Sequence, residues 1–427
     1  MFLKALSGSR LYYAWLGFLG TLFLLGLIFY LRQFFLGLQV TDMGRDVSWG
    51  LYLANFTFLV GVAASAVMVV LPYYVHHYKQ FRRITTLGEF IAIPAVLMCI
   101  MFVMIDLGQP TRFVNLFLHP SPRSILFFDI VVLTGYLVLN LVIGFMVLNA
   151  RRKDEAPKPW LKSIIYLSIP WAISIHTVTA FIYAGLAARP YWLTALMAPR
   201  FLASAFAAGP ALLIIGCLIL RRYTTFDPGK EAIQKIAQIV TYALLATIFF
   251  FLVEAFTILY SDIPGHKEHF WYLLTGWEGK SGLVPWTWTT FIFWLAAVVL
   301  LIRPSTRGNE KTLLLALGMV FISMWIDKGL VLMVPGFFPS PTGELVEYTP
   351  TANEWLVTLG VWAFGFLVMT ILYKIGTSVM KDIGEDKPSP EKDFSSPNIE
   401  VAEEKSVPSS NAPGADTATL VPLASEE

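Results

Sequence analysis

The sequence predicts an all-α integral membrane protein with about ten transmembrane helices. Of its 427 residues, 56% are hydrophobic and only 14% are charged, whereas a soluble domain carries about 25% charged residues. Ten apolar runs are long enough to cross the hydrocarbon core, which takes about 20 residues in a helix. Backbone groups inside lipid must be hydrogen-bonded within the protein, so helices are the expected structure of these runs.

The predicted spans are separated by short polar connections. In chain order they cover residues 11–31, 48–75, 87–105, 124–148, 163–187, 201–220, 237–260, 284–302, 312–334 and 353–375. We expect residues 1–380 to form one polytopic membrane domain. Residues 381–427 are rich in Pro, Ser, Ala and acidic residues. A segment with so few large apolar residues predicts a disordered acidic tail.

The distribution of basic residues predicts the orientation of the chain. Lys and Arg are concentrated in alternate connections, as at 79–83, 151–162 and 221–235. Connections that are rich in Lys and Arg stay in the cytoplasm. We therefore expect a multi-pass protein of the cytoplasmic (inner) membrane with both termini cytoplasmic. The opposite, outer connections are longer and rich in Trp, Pro and Gly, which favours a docking surface.

Composition also limits the cofactors and partners. A net charge of +2 does not favour a nucleic-acid partner. The two cysteines, Cys99 and Cys217, lie inside apolar runs, with no CxxC or CxxCH motif, so we expect no iron–sulfur cluster and no c-type haem. His176 is the one histidine inside a predicted span. A b-type haem normally takes two facing histidines, so we expect no haem and no metal site.

Most polar residues inside the predicted spans fall in their outer halves. Ionisable groups at this depth are costly and usually mark function. Helical spacing places Asp129, Tyr136 and Asn140 on one face of the fourth span, and His176, Thr179 and Tyr183 on one face of the fifth. The other polar residues at a similar depth are Asn55, Glu254, Asp327 and Lys328.

Several of these residues have two open interpretations. Asn55 and Asn140 fit either a functional role or interhelical hydrogen bonds. Lys328 could form a structural ion pair with Glu254, or these two residues and Asp327 could form a proton path.

Other polar residues lie near span ends or in loops. Glu89 and Glu354 lie near the ends of predicted spans, where an interfacial position is expected. Asp106 and Arg112 flank a loop, so capping or loop bracing competes with a functional role.

His176 has the chemistry that a quinone site requires. A neutral imidazole titrates near physiological pH and can accept a proton from a quinol hydroxyl. A structural histidine with satisfied hydrogen bonds remains the alternative. The same helix face carries Tyr183, and Asp129 lies at a matching depth on the preceding span.

Three segments carry a resemblance to a known family. The stretch from Ser48 to Gly61, SWGLYLANFTFLVG, enters the second span; DLGQPTR at 106–112 is followed by PSPRS at 120–124; and RPYW at 189–192 precedes PRF at 199–201. In this order they resemble the NrfD/PsrC family of quinone-interacting membrane subunits. The resemblance covers residues 45–215 and extends to the rest in topology.

The resemblance implies two four-helix bundles plus extra spans, with no redox cofactor in this chain. It implies menaquinone or menaquinol as bound substrate near the outer face. The family's quinone-site positions correspond to His176, Asn55 and Asp129, with Tyr183 as a facing candidate. Asp106 and Arg112 belong to the implied partner loop. Independently of the resemblance, the buried charges Glu254, Asp327 and Lys328 are candidates for a proton path if the complex conserves energy.

The resemblance also implies partners. These are a ferredoxin-like iron–sulfur subunit on the periplasmic side and further haem-containing and membrane subunits of a respiratory complex. Among the longer members the sequence is most similar to the DsrP type, linked to dissimilatory sulfur metabolism, with Hmc, Qrc and HybB types as near alternatives. An ion-coupled secondary transporter, which would use the same buried charges, is the competing class.

Overall fold

The computed structural model describes residues 4–5, 7–76, 78–153, 155, 158–262, 265–338 and 344–386. Within these ranges, ten helices are long and apolar enough to cross a membrane, and each overlaps one of the predicted spans. Residues 387–427 of the predicted tail lie outside the described ranges. In chain order the helices are α1 (Arg10–Leu36), α2 (Leu51–Tyr74), α3 (Arg82–Asp106), α4 (Ile125–Arg152), α5 (Pro159–Ala184), α6 (Met197–Tyr223), α7 (Lys230–Tyr260), α8 (Val284–Ile302), α9 (Glu310–Phe337) and α10 (Ala352–Asp382).

The helices form two four-helix bundles and one additional pair, as expected. Helices α2 to α5 pack in a ring as the first bundle, and α6 to α9 form the second. The bundles meet where α6 contacts α2 and α5, and where α9 contacts α2. Helices α1 and α10 pack against each other, and α10 also lies against α3. Residues on α2, α5, α6 and α9 therefore face a common interface.

The α1–α10 pair crosses at two glycines. A Cβ atom added at Gly26 would lie 2.5 Å from the Cα of Gly360. No larger residue fits this crossing without separating the helices. Exposed leucines and phenylalanines cover the rest of α1, which is consistent with a lipid-facing position.

Helix α9 is interrupted next to its charged residues. Its α-helical segment ends at Lys328, Gly329 adopts φ −89° and ψ −105°, and a second segment covers Leu330–Met333. A 3-10 turn over Val334–Phe337 completes the span. The interruption lies inside the protein, where all of these residues are buried. Irregular backbone at membrane depth is tolerated there because it is shielded from lipid.

The two ends of the bundles differ in their connections. The short connections at 75–81, 153–158, 224–229 and 303–309 lie at what we call the basic face. The longer ones at 37–50, 107–124, 185–196, 261–283 and 338–351 lie at what we call the loop face.

The carboxylate of Glu354 fixes the connection that leads into α10 at the loop face through several hydrogen bonds. Thr351 and Glu354 form a capping box at the start of α10. Glu354 Oε2 also accepts from the Asp42 backbone N–H at 3.0 Å, and the Tyr348 hydroxyl donates to Glu354 Oε1. Burial and the Glu354 charge raise the pKa of Tyr348 above its ordinary value. Glu354 thus lies at a helix end, as expected, but is buried in protein.

Candidate functional site

The polar face predicted on α5 points into the protein. His176, Thr179 and Tyr183 are all buried. Thr179 donates a 2.8 Å hydrogen bond from its hydroxyl to Asp129 Oδ1, which joins α5 to α4. Asp129 is only 5% exposed. The structure therefore places His176, Asp129 and Tyr183 within one polar region of the first bundle.

Tyr183 connects this region to α2 and to the loop face. Its hydroxyl lies 2.5 Å from the hydroxyl of Thr57. The Tyr183 ring packs against Trp49 and Trp192, and Trp192 packs against Phe337, with neighbouring centroids 5.2 to 5.9 Å apart. We call these four aromatic residues, Tyr183 included, the aromatic cap. A Cβ added at Gly336 would lie 1.9 Å from the Trp192 ring, so glycine is required beneath the cap.

His176 has no hydrogen-bond partner in the described part of the chain. Its ring is 1% exposed, and neither Nδ1 nor Nε2 is bonded. A buried polar group that is left unpaired costs about 1–3 kcal/mol. Buried polar atoms are almost always satisfied, so such a group calls for an explanation, and a bound ligand is one. A structural histidine satisfied by its protein neighbours would need a partner that the described residues do not provide.

Lys328 reaches from the second bundle into the interface between the bundles. Its ammonium donates to the backbone oxygen of Phe201 at 2.9 Å and lies 4.5 Å from the centroid of that ring. A Cβ on Gly61 of α2 would lie 3.2 Å from Lys328 Nζ. The lysine also interacts electrostatically with His176. Of the two interpretations left open for Lys328, the ion pair with Glu254 is not formed, because this contact directs the ammonium to Phe201.

The partner of Glu254 is Arg200, which the sequence interpretation missed. Arg200 Nη1 lies 2.9 Å from Glu254 Oε2, and Nη2 lies 2.5 Å from Asp327 Oδ1. All three side chains are at least nine-tenths buried. One guanidinium thereby holds α6, α7 and α9 together in the second bundle. The sequence did contain a signal for the importance of Arg200, since this residue lies in the PRF segment that carries part of the family resemblance.

Asn55 bonds to two tryptophans. Its Oδ1 accepts from Trp325 Nε1 at 3.0 Å and from Trp362 Nε1 at 2.8 Å. Its Nδ2 donates to the Leu51 carbonyl. These bonds fit the interhelical interpretation and tie α2 to α9 and α10. The quinone contact of Asn55 stays a prediction.

The predicted partner loop leaves the bundle at the end of α3. Asp106 is the last residue of that helix, and its Oδ1 is buried without a hydrogen bond in the described ranges. Arg112 lies in the 3-10 turn Pro110–Val114 and is exposed. No described residue forms an ion pair with it.

An open groove lies at the loop face, at the ends of the helices α4 and α5 that carry Asp129 and His176. It has a volume of about 410 Å³ and is bounded by the ends of α4 and α5 and by the segment leading into α6. Ile125, Phe181, Leu193 and Met197 supply its apolar walls. His176 and Asp129 do not line it. Its size and lining suit the chain of an apolar ligand.

Comparison with known proteins identifies the family. The family described as polysulphide reductase, NrfD, matches residues 39–339. A selenate reductase subunit of Mesobacillus selenatarsenatis is 24% identical, with 86% of this chain and 94% of the relative covered. A putative dimethyl sulfoxide reductase membrane subunit of Halobacterium salinarum is 24% identical over 83% and 89% of the two chains.

A third relative has a quinone in its name. It is the Hdr-like menaquinol oxidoreductase integral membrane subunit of Archaeoglobus fulgidus, which is 22% identical over 87% of this chain and 95% of the relative. The family match covers both helical bundles and the aromatic cap, which is well over half of the sequence. The chain therefore belongs to the NrfD family of membrane subunits.

Proposed function

We propose that this chain is the quinone-reactive membrane subunit of a respiratory oxidoreductase. The observation that carries the proposal is His176, a buried imidazole with two unbonded nitrogens on the face of α5 that also carries Tyr183 and Thr179, the partner of Asp129. The menaquinol named in the Archaeoglobus relative supports menaquinone or menaquinol as the substrate. The apolar groove at the ends of α4 and α5 offers walls for an isoprenoid tail.

The chemistry assigned to the site separates the protons of menaquinol, which pass to side chains of this chain, from its electrons, which pass to a partner. Menaquinol oxidation to menaquinone releases two electrons and two protons. His176 accepts one hydroxyl proton through a ring nitrogen, and Asp129, whose Oδ1 is held by Thr179, accepts the other. Lys328, which interacts electrostatically with His176, favours negative charge on the substrate oxygen. The reverse reaction uses the same groups in the opposite order.

The electrons require a partner, which we propose is a ferredoxin-like iron–sulfur subunit docked at the loop face. The exposed Arg112 and the long connections of that face support this position. We propose that the loop face is periplasmic and both termini cytoplasmic, following the basic residues. Further haem-containing and membrane subunits of the complex, and a DsrP-type role in sulfur metabolism, belong to the same proposal.

One observation favours the competing class, an ion-coupled transporter. Helix α9 is broken at Gly329 beside Asp327 and Lys328, and broken helices are common at transporter binding sites. However, Arg200 bonds both Asp327 and Glu254, which leaves neither carboxylate free to bind a cation. The quinone function therefore fits the charges of this chain better.

The proposal is tested by electron transfer in native membranes. Oxidation of a soluble menaquinol analogue by the complex is measured for Asp129→Asn and for a matched control, Thr177→Ala, one position from His176 on α5. We expect Asp129→Asn to lower the rate by about 10²-fold or more, since a proton acceptor is removed, and Thr177→Ala to change it little. Equal rates in the two variants would contradict the assignment.

A further inference from the structure

The connection between α3 and α4 contains a short helix at the loop face that the proposed quinone chemistry does not use. A 3-10 turn over Pro110–Val114 continues into an α-helical turn over Asn115–Leu118. Proline suits a helix start because its φ is fixed. Pro120 disfavours helical backbone at His119, where the helix ends. We call residues 110–118 the rim helix.

The rim helix exposes large apolar side chains on one face. Val114, Phe117 and Leu118 are 53%, 58% and 66% exposed. They stand at i, i+3 and i+4, so they lie side by side on the helix. Phe113 is half-buried and packs against the Phe117 ring at a centroid distance of 5.8 Å. A cluster of exposed apolar side chains marks a contact with something other than water.

A second face of the rim helix is polar and basic. Arg112, Asn115 and His119 stand at i, i+3 and i+7 and are exposed. Residues 107–128 include two arginines, of which Arg123 is the second, and no Asp or Glu. No described residue forms an ion pair with Arg112 or Arg123. This segregation of apolar and basic residues is typical of helices that lie in the plane of a membrane interface.

The rim helix lies between the ends of two helices whose exposed surfaces are apolar. Gly108, two residues before it, lines the same small crevice as Phe34 of α1. After it the chain leads directly into α4. Phe35 at the end of α1 is 79% exposed, and Leu126 at the start of α4 is 54% exposed. The apolar face of the rim helix therefore continues the lipid-facing surface of its neighbours.

We propose that the rim helix is a membrane-interface anchor that binds the lipid leaflet at the loop face. Val114, Phe117 and Leu118 insert between the acyl chains, below the lipid phosphates. The polar face stays at the aqueous surface, so Arg112 remains accessible to the proposed partner subunit. The proposal goes beyond the quinone chemistry and does not rest on it.

Position and charge favour lipid over a protein as the occupant of this face. The rim helix lies at the ends of α3 and α4, where two membrane spans leave the hydrocarbon core. A basic segment without acidic residues complements the negative charge of lipid phosphates. An interfacial helix holds its apolar side chains at the boundary between headgroups and acyl chains.

The test measures the depth of single side chains with nitroxide spin labels. The full chain, with its bound subunits, is placed in phospholipid liposomes after labelling of one introduced cysteine. The native Cys99 and Cys217 are fully buried and do not compete for the label. The variant is Phe117→Cys, and the matched control is Asn115→Cys, two residues away on the polar face.

Collision rates with two relaxing agents report where each label lies. Oxygen is concentrated in lipid, whereas a nickel chelate, added on both sides of the membrane, stays in water. Val138→Cys serves as the lipid reference, because Val138 is 52% exposed near the middle of α4.

We expect the label at position 117 to lie about 5–10 Å below the phosphates, with high oxygen access and low nickel access, as at position 138. The label at position 115 should be accessible to nickel. If Phe117→Cys does not fold, Leu118→Cys on the same face carries the same test. Nickel access at position 117 or 118 equal to that at position 115 would overturn the anchor.

A protein on the apolar face would give a different result. The label at position 117 would then be shielded from both oxygen and nickel, which would also overturn the proposal in favour of a partner subunit or a second copy of this chain. Because the measurement uses no quinone, its outcome is independent of the proposed function.

Discussion

Arg200 Nη2 lies 2.5 Å from Asp327 Oδ1, and both side chains are buried between α6 and α9. The same guanidinium bonds Glu254 of α7. Glu254 and Asp327 of the second bundle are therefore paired, whereas His176 and Glu89 of the first bundle have no hydrogen-bond partner in the described ranges. This contrast favours a structural role for Arg200 and its two carboxylates, and it is consistent with the chemistry proposed at His176.

Replacing Arg200 should destabilise the fold more than any change at the surface. Arg200→Met leaves two buried carboxylates without a partner, a loss of about 3–5 kcal/mol for a broken buried pair. Arg222→Ala, at an exposed position near the end of the same helix, should change stability by less than about 0.5 kcal/mol. Unfolding in mixed detergent, followed by circular dichroism, measures both. Equal stabilities would contradict the structural role.

Asn55 should contribute to the stability of the protein by joining α2 to α9 and α10. Asn55→Ala leaves the part-buried indole N–H groups of Trp325 and Trp362 without their acceptor, a loss of about 0.5–1.5 kcal/mol for each hydrogen bond. The apparent melting temperature should fall, while Asn115→Ala, at an exposed position, should not lower it. If Asn55→Ala instead weakened analogue binding without loss of stability, a direct quinone contact would be the better assignment.

Protonation of His269, at the loop face, should lower the folding stability of the protein at acidic pH. Burial lowers the pKa of its imidazole and outweighs the carbonyl contacts from Phe338 and His266. The folded state therefore binds fewer protons than the unfolded state below about pH 6.5, and stability is lost as the pH falls through this range. The slope is at most about 1.4 kcal/mol per pH unit.

Melting temperatures between pH 7.5 and 5.5 measure this effect. His269→Gln should flatten the pH dependence, because its amide remains neutral. His119→Gln, at an exposed position, should retain it. A dependence that is identical in the two variants would place the acid sensitivity elsewhere.

The architecture follows from the sequence because hydrophobic run length is a direct physical requirement of the bilayer. All ten predicted spans correspond to helices of the described chain. The spacing on α5 also predicted that His176, Thr179 and Tyr183 share a buried face. These properties depend on one helix at a time.

The errors occur where hydropathy places a helix end incorrectly or where two helices meet. The apolar run suggested a start at residue 201, but α6 begins at Met197, which brings Arg200 inside. In the same way the predicted third span began at residue 87, whereas α3 begins at Arg82, so Glu89 lies further along its helix than the apolar run suggested. The possible ion pair of Lys328 with Glu254 is not formed, because spacing within α9 does not reveal which neighbouring helix faces the lysine.

The most direct test of the quinone assignment is binding of a menaquinone analogue to His176→Ala. Quenching of tryptophan fluorescence during titration gives the dissociation constant, with Thr177→Ala as the neighbouring control. The account predicts a loss of affinity of about tenfold or more for His176→Ala, which is about 1.4 kcal/mol, and little change for the control. Equal affinities in the two variants, in protein that remains folded, would contradict the assignment of His176 to the quinone site.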